Sequence, residues 1–216
     1  MKAAAFALLL CTAPVFAQTA RPQISTNPLH KKGTWDLGVW ASGGHSVTGG
    51  TSGVGIFSTA FRVGKIISGE RGRGWYRGNL EVAVDVVPLT LIFQKTLQPP
   101  PVCIAVFPSP CPLRDETVYG AGFTPLMTKW NFSAAKNFTP YVELGGGLLF
   151  TKSDVPAFSS NVNFTPQIAF GVHLFTNNRR SLSLAGRYLH ISNAGLGDLN
   201  PGINTIQFSL GYHWFR

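Results

Sequence analysis

"WYRGNLEVAVDVV", residues 75–87, decides how this chain folds. Tyr76, Leu80, Val82, Val84 and Val86 share one face of an extended strand, and Arg77, Asn79, Glu81 and Asp85 share the other, because successive side chains of a strand point to opposite sides. A helix would scatter both sets around its axis. The final segment, "NTIQFSLGYHWFR" (204–216), repeats the pattern: Ile206, Phe208, Leu210, Tyr212 and Trp214 alternate with Thr205, Gln207, Ser209 and His213. Working outward from these two, strands are expected near 34–42, 54–67, 75–87, 118–131, 139–152, 163–176, 181–192 and 204–215.

Many of these segments meet the roughly 9–11 residues that a tilted membrane strand needs. Three links are tight and polar, "SGERGRG", "SAAKN" and "TNNRR". The links between them are longer, and the one after the third strand is expected to run from about 88 to 117. Short turns at one end and long loops at the other predict an all-β fold, an eight-stranded antiparallel transmembrane outer-membrane β-barrel over residues 34–216.

A secreted sandwich or a lipocalin-like barrel also tolerates alternation. Neither accommodates polar faces carrying Arg62, Arg77, Glu81, Asp85, Glu143, Gln167 and His213, which suit a filled, hydrogen-bonded interior. Trp35, Trp40, Tyr76, Tyr119, Trp130, Tyr141, Tyr188 and Trp214 stand near strand ends, where interfacial aromatic girdles are expected. Eight strands enclose a lumen that side chains fill, which argues against a solute channel.

The first 17 residues read as a signal peptide: Lys2, an apolar run from Ala3, then Val15-Phe16-Ala17 as the cleavage site. A lipoprotein signal at Cys11 fits poorly, because Leu10 is bulky where a small residue is wanted. Residues 18–33 form an N-terminal periplasmic segment in this reading. Cys103 and Cys111, eight apart, read as one disulfide in an oxidising compartment. The formal charge is +9, without any Lys/Arg run, and export argues against a nucleic-acid partner. Nothing calls for a cofactor or a metal.

"RYLHISNAGLGDLNPGIN" (187–204) carries the chemistry. In the seventh strand His190 and Ser192 share parity with the outward Leu182, Leu184 and Tyr188; Asn204 shares parity with Ile206, Phe208 and Leu210 on the eighth. Polar groups on a lipid-facing surface are costly unless something uses them. With both termini periplasmic, the three meet the outer, lipopolysaccharide-bearing leaflet. His45 is expected in a loop and His173 in the interior. "GGHSVTGGTSG" lacks the strand–turn–helix context of a phosphate loop and reads as a surface loop, while Gly145-Gly146-Gly147 serves barrel curvature or a close backbone approach.

"HISNAGLGDLNPGIN" resembles the signature of the PagL-type lipid A 3-O-deacylases, a family of outer-membrane acyl-ester hydrolases: a His, a Ser two later followed by Asn-Ala, then an Asn, a Gly and a Glu. The resemblance implies Ser192 as nucleophile, His190 as general base, Asn193 and the Gly195 backbone as oxyanion donors, and Asn200 and Gly202 as shapers of the loop. The substrate it implies is lipid A of lipopolysaccharide, and the products are a fatty acid and a lipid A lacking one ester-linked chain. Where the family carries glutamate, this chain has Asn204, with Asp198 a nearby substitute acid. A carboxylate orients the imidazole and stabilises the imidazolium, whereas an amide does only the first; the equivalent change in a serine protease costs about 10⁴-fold. The competing reading is a non-catalytic barrel that binds lipopolysaccharide or braces the envelope. Self-association as a homodimer stays open.

Overall fold

The computed structural model describes residues 28–97, 113–135 and 137–216. The signal-peptide segment and the Cys103–Cys111 pair lie outside them. The strands are β1 (Trp35–Val47), β2 (Gly55–Ile66), β3 (Gly78–Leu97), β4 (Leu113–Phe132), β5 (Phe138–Thr151), the short β6 (Val162–Phe164), β7 (Gln167–Asn177), β8 (Arg180–Ile191) and β9 (Ile203–Phe215). Each long strand pairs antiparallel with its chain neighbours, and β9 returns to β1, with Val39 opposite Tyr212. The result is a closed eight-stranded antiparallel barrel, from which the β3–β4 hairpin projects past Phe93 and Gly120, beyond its pairing with β2 and β5. β6 extends the line of β7 and is parted from it by Thr165-Pro166, where a proline N–H is missing from the ladder.

Several expectations are corrected. β3 and β4 run ten and five residues further than expected, to Leu97 and from Leu113, because the alternation continues: Thr90, Ile92 and Gln94 face in, and Phe93 and Lys95 face out. Pro88 does not end β3, since it falls within the register shift between Val87 and Thr90. At its other end β3 starts at Gly78, so Tyr76 and Arg77 belong to an exposed turn and not to the two strand faces. β1 reaches Val47 and takes in His45. Trp40 and Tyr141 are not girdle residues; they turn inward and are buried, each against a cation, with the Arg187 guanidinium 4.2 Å from the Trp40 ring and Lys129 Nζ 5.3 Å from Tyr141.

The lumen is layered. Leu29, Ile66, Phe175 and Phe215 close the end that carries both described chain ends. Above them lie Asp36, Glu81, Lys129, His173 and His213, followed by Arg62, Asp85, Glu143 and Arg187. Arg62 donates from Nε and Nη2 to Asp85 at 2.8 Å and from Nη1 to Glu143 at 2.7 Å. Bidentate geometry of this kind offsets the desolvation that burying ions costs. A second apolar cluster, including Ile56, Leu149, Leu189, Ile191 and Ile203, closes the far end. Val84, Val86, Phe170, Leu184, Phe208 and Leu210 point outward and are exposed, an apolar belt that requires hydrocarbon around it.

Gly147 shows how closely the strands approach. A Cβ there would stand 2.3 Å from the Phe123 carbonyl oxygen, opposite the register shift between Phe123 and Leu126. Only glycine fits that approach.

Candidate active site

β8 and β9 are ladder neighbours, and their register sets His190 directly opposite Asn204. Two residues further into the membrane, Tyr188 and Ile206 are exposed on the outer face, so His190 and Asn204 leave the ladder on that same face. His190 is half-buried; Ser192 and Asn204 are 9% and 8% exposed.

Asn204 joins three elements. Its Nδ2 donates to the Thr48 carbonyl at 3.2 Å and the Gly49 carbonyl at 2.8 Å, both in the loop between β1 and β2. Carbonyls only accept, so this fixes which end of the amide is which. Oδ1 then faces His190 Nδ1 at 2.6 Å, and the ring nitrogen must be the donor. In the neutral imidazole the hydrogen therefore sits on Nδ1, and Nε2 keeps its lone pair. Gly202 lies beside the ring: its φ is +64°, and a Cβ there would meet His190 Cε1 at 3.0 Å. The Gly202 carbonyl accepts from Thr51 N–H at 2.8 Å, which ties the β1–β2 loop over Asn204.

Ser192 follows β8 and exchanges backbone hydrogen bonds with Phe164 of β6, at 2.7 and 3.1 Å. Its Oγ makes no hydrogen bond among the described residues, to His190 or otherwise. Asn193, fully buried, organises the loop that follows. Nδ2 donates to Ser159 Oγ at 3.2 Å and to the Leu199 carbonyl at 2.8 Å, while Oδ1 accepts from Gly195 N–H at 2.9 Å. Asn200 Oδ1 accepts from the Asn193 N–H at 3.2 Å. Between them Ala194 adopts φ +53°, an unusual value for a side-chain-bearing residue and one that clusters at functional sites. Both Asn193 donors and the Gly195 N–H are thus engaged within the loop. Asp198 is exposed, and the position on His190 Nδ1 that an acid would take is held by Asn204.

Sequence reasoning missed Ser159, Thr48 and Gly49, which come from separate loops and carry no motif. It also missed a Ser–His–Asp series inside the lumen: Ser183 Oγ lies 3.0 Å from His213 Nε2, and His213 Nδ1 lies 2.8 Å from Asp36 Oδ1. The apolar clusters at both ends seal that series from any substrate. Asp36, His173 and His213 offer ligand atoms within 4.8 Å of one another, but Lys129 Nζ lies 3.2 Å from Asp36 and 3.3 Å from His173. The ammonium already supplies the positive charge a metal ion would bring there.

A closed barrel with a packed charged interior and an apolar exterior is the fold of an outer-membrane β-barrel protein, here with a His–Asn–Ser cluster at one end of its outer surface. Within that class, residues 111–213 match the family lipid A 3-O-deacylase (PagL), and the chain resembles that family. Among solved structures it is similar to that titled "Crystal structure of the outer membrane enzyme PagL", with a TM-score of 0.53, 18% identity, and coverage of 81% of this chain and 97% of that one. It also superposes on Ail of Yersinia pestis (TM-score 0.49, 8% identity, 86% and 100% covered). A further neighbour is OprG of Pseudomonas aeruginosa (0.47, 11%, 88% and 99%). No curated protein sequence matches the chain.

Proposed function

We propose that this barrel is an outer-membrane esterase that removes the 3-O-linked acyl chain from lipid A, with Ser192 as nucleophile and His190 as general base. One observation carries the reading: Asn204 holds His190 Nδ1 on the outer face, so that Nε2 is left as a proton acceptor two residues from a serine. Ser192 Oγ attacks the ester carbonyl while its proton passes to Nε2; the imidazolium then returns that proton to the leaving alkoxide. Water hydrolyses the acyl-serine by the same route, giving a fatty acid. This mechanism requires rotation about the Ser192 side chain to carry Oγ to the ring, since the two are not bonded in the resting geometry. The oxyanion takes the Gly195 N–H from Asn193 Oδ1, an exchange of one acceptor for a more strongly charged one. An ester buried at the level of the outer leaflet reaches this cluster laterally, without leaving the membrane.

The resemblance over residues 111–213 supports the substrate class. The second reading, a barrel that binds lipopolysaccharide without cleaving it, is favoured by the neutral Asn204 and by the engaged donors of Asn193. Mass spectrometry of lipid A from a host with a full acyl complement, expressing the folded protein, separates the two. Loss of one ester-linked chain, abolished by Ser192→Ala in an equally folded barrel, is expected. An unchanged spectrum removes the enzyme.

A further inference from the structure

The chain's charge is separated along the barrel axis. Inside the lumen, Arg62, Lys129 and Arg187 face the four carboxylates of Asp36, Glu81, Asp85 and Glu143 and are spent on them. At the end bearing the long loops, Lys95, Arg114 and Lys152 stand among Asp115, Glu116, Asp154 and Asp198, with Lys95 opposite Asp115 in the β3–β4 register. The remaining described cations all lie at the short-turn end. Arg71, Arg73 and Arg77 are exposed in the β2–β3 link, and Arg179 and Arg180 in the β7–β8 turn. Lys31, Lys32 and Arg216 are exposed beside the β1 start, and Lys65 completes the ring. The single carboxylate side chain described there is Glu70, 3.7 Å from Arg77 and bonded to Ser133. Among the described residues, the net positive charge therefore stands on one rim.

That rim is also aromatic. Trp35, Trp75, Tyr76 and Trp214 are exposed along it, and Lys65 Nζ lies 4.6 Å from the Trp35 ring centre. A soluble polyanion would match the charge but has no use for indole rings, which settle at the boundary between hydrocarbon and headgroup. We propose that the short-turn rim binds the phosphate groups of anionic phospholipids in the inner leaflet, so that the barrel is held and oriented by a ring of acidic headgroups at the end opposite the His190–Asn204 pair. Cations close to an anionic membrane surface gain from its potential, and the gain falls as salt shortens the screening length. The proposal concerns a surface remote from the ester chemistry and stands or falls separately from it, because Ser192→Ala leaves the rim unchanged.

Four of the chain's five tryptophans (Trp35, Trp75, Trp130 and Trp214) sit at this end and report directly. The folded barrel is reconstituted into phosphatidylcholine vesicles in which a fraction of the lipid is replaced by dibrominated phosphatidylglycerol or, in the matched series, dibrominated phosphatidylcholine, and tryptophan quenching is recorded. About fivefold stronger association of the phosphatidylglycerol is expected, comparable to one lysine at an anionic surface, shrinking at high salt. The variant R71Q/R73Q/R179Q/R180Q should lose the preference, and K95Q/R114Q/K152Q at the other rim should keep it. Where the fourfold variant does not fold, R179Q/R180Q and the salt series carry the same test. Equal quenching by the two lipids at low salt overturns the proposal. So does a preference that survives the short-turn variants, or one that vanishes with the long-loop cations.

Discussion

Asn204 Oδ1 lies 2.6 Å from His190 Nδ1 across the β8–β9 ladder, while the other end of the same amide is bonded to the Thr48 and Gly49 carbonyls. The residue therefore orients the imidazole and anchors the β1–β2 loop at once. Asn204→Leu removes both functions while keeping a γ-branched side chain. If the proposed mechanism holds, deacylation falls by roughly 10²- to 10⁴-fold, the upper figure being the serine-protease cost of a misplaced tautomer. Initial rates on purified lipid A check this; a rate within twofold of the parent would show that Asn204 does not hold the base.

Asn204→Glu places a carboxylate where the related family has one, but sets its oxygens against two carbonyls that now receive donated hydrogens. Imidazolium stabilisation improves and the β1–β2 loop loses its tie. Faster turnover is expected, together with quicker amide exchange at residues 48–54. Faster turnover with an unaltered loop would mean that the Nδ2 contacts contribute nothing.

Asn193 and Ser159 predict a graded pair. Asn193→Ala deletes the bonds to Ser159, Leu199 and Gly195 together, so the 193–202 loop opens and activity drops with it. Ser159→Ala removes the acceptor of Asn193 Nδ2 and the Ser159 Oγ donation to the Leu199 carbonyl at 3.1 Å, but leaves Asn193 bonded to Leu199 and Gly195. Its expected cost is about 1–3 kcal/mol, the net value of two hydrogen bonds. Hydrogen exchange across the loop ranks the two variants. Equal protection in both would place the loop's order elsewhere.

Arg62 bridges Asp85 and Glu143 in the sealed lumen. Arg62→Leu leaves Asp85 without a cation among the described residues, with only the Trp40 Nε1 bond at 3.3 Å, and Glu143 with Arg187 alone. It should destabilise the barrel by about 3–5 kcal/mol. Arg62→Lys should recover part of that, since an ammonium keeps the charge but cannot reproduce the bidentate fork on Asp85. Urea unfolding in detergent micelles measures both, and indistinguishable midpoints would mean that water reaches these carboxylates.

The period-two alternation made the barrel legible, because a residue between lipid and a packed lumen has only two environments and the sequence must label each one. Legibility failed where that labelling is interrupted. The pattern predicts a strand end at residue 87, yet β3 continues through Pro88, which sits in a register shift that spares the ladder its missing N–H. Trp40 reads as a girdle aromatic, yet it turns inward beneath the Arg187 guanidinium, a pairing between strands far apart in sequence. The site divides in the same way. His190 and Asn204 were legible because strand parity and one hairpin put them together. Ser159, Thr48 and Gly49 were not, because their positions depend on the paths of two other loops.

The outward set itself can be tested by substitution at adjacent positions of β9. Leu210 is exposed near the middle of the strand, opposite Leu184 on β8, whereas its neighbour Ser209 is buried in the lumen. Leu210→Lys puts an ammonium into hydrocarbon and should cost about 2–4 kcal/mol at mid-bilayer. Ser209→Ala, which removes only a small hydroxyl, should cost less than about 1 kcal/mol. Because the two neighbours occupy opposite faces, a large cost at Leu210→Lys reads its lipid exposure from unfolding free energies in lipid vesicles, with Ser209→Ala as the lumen control. Comparable costs at the two positions would mean that the apolar face does not meet lipid, and the outward placement of His190 and Asn204 would lose its support with it.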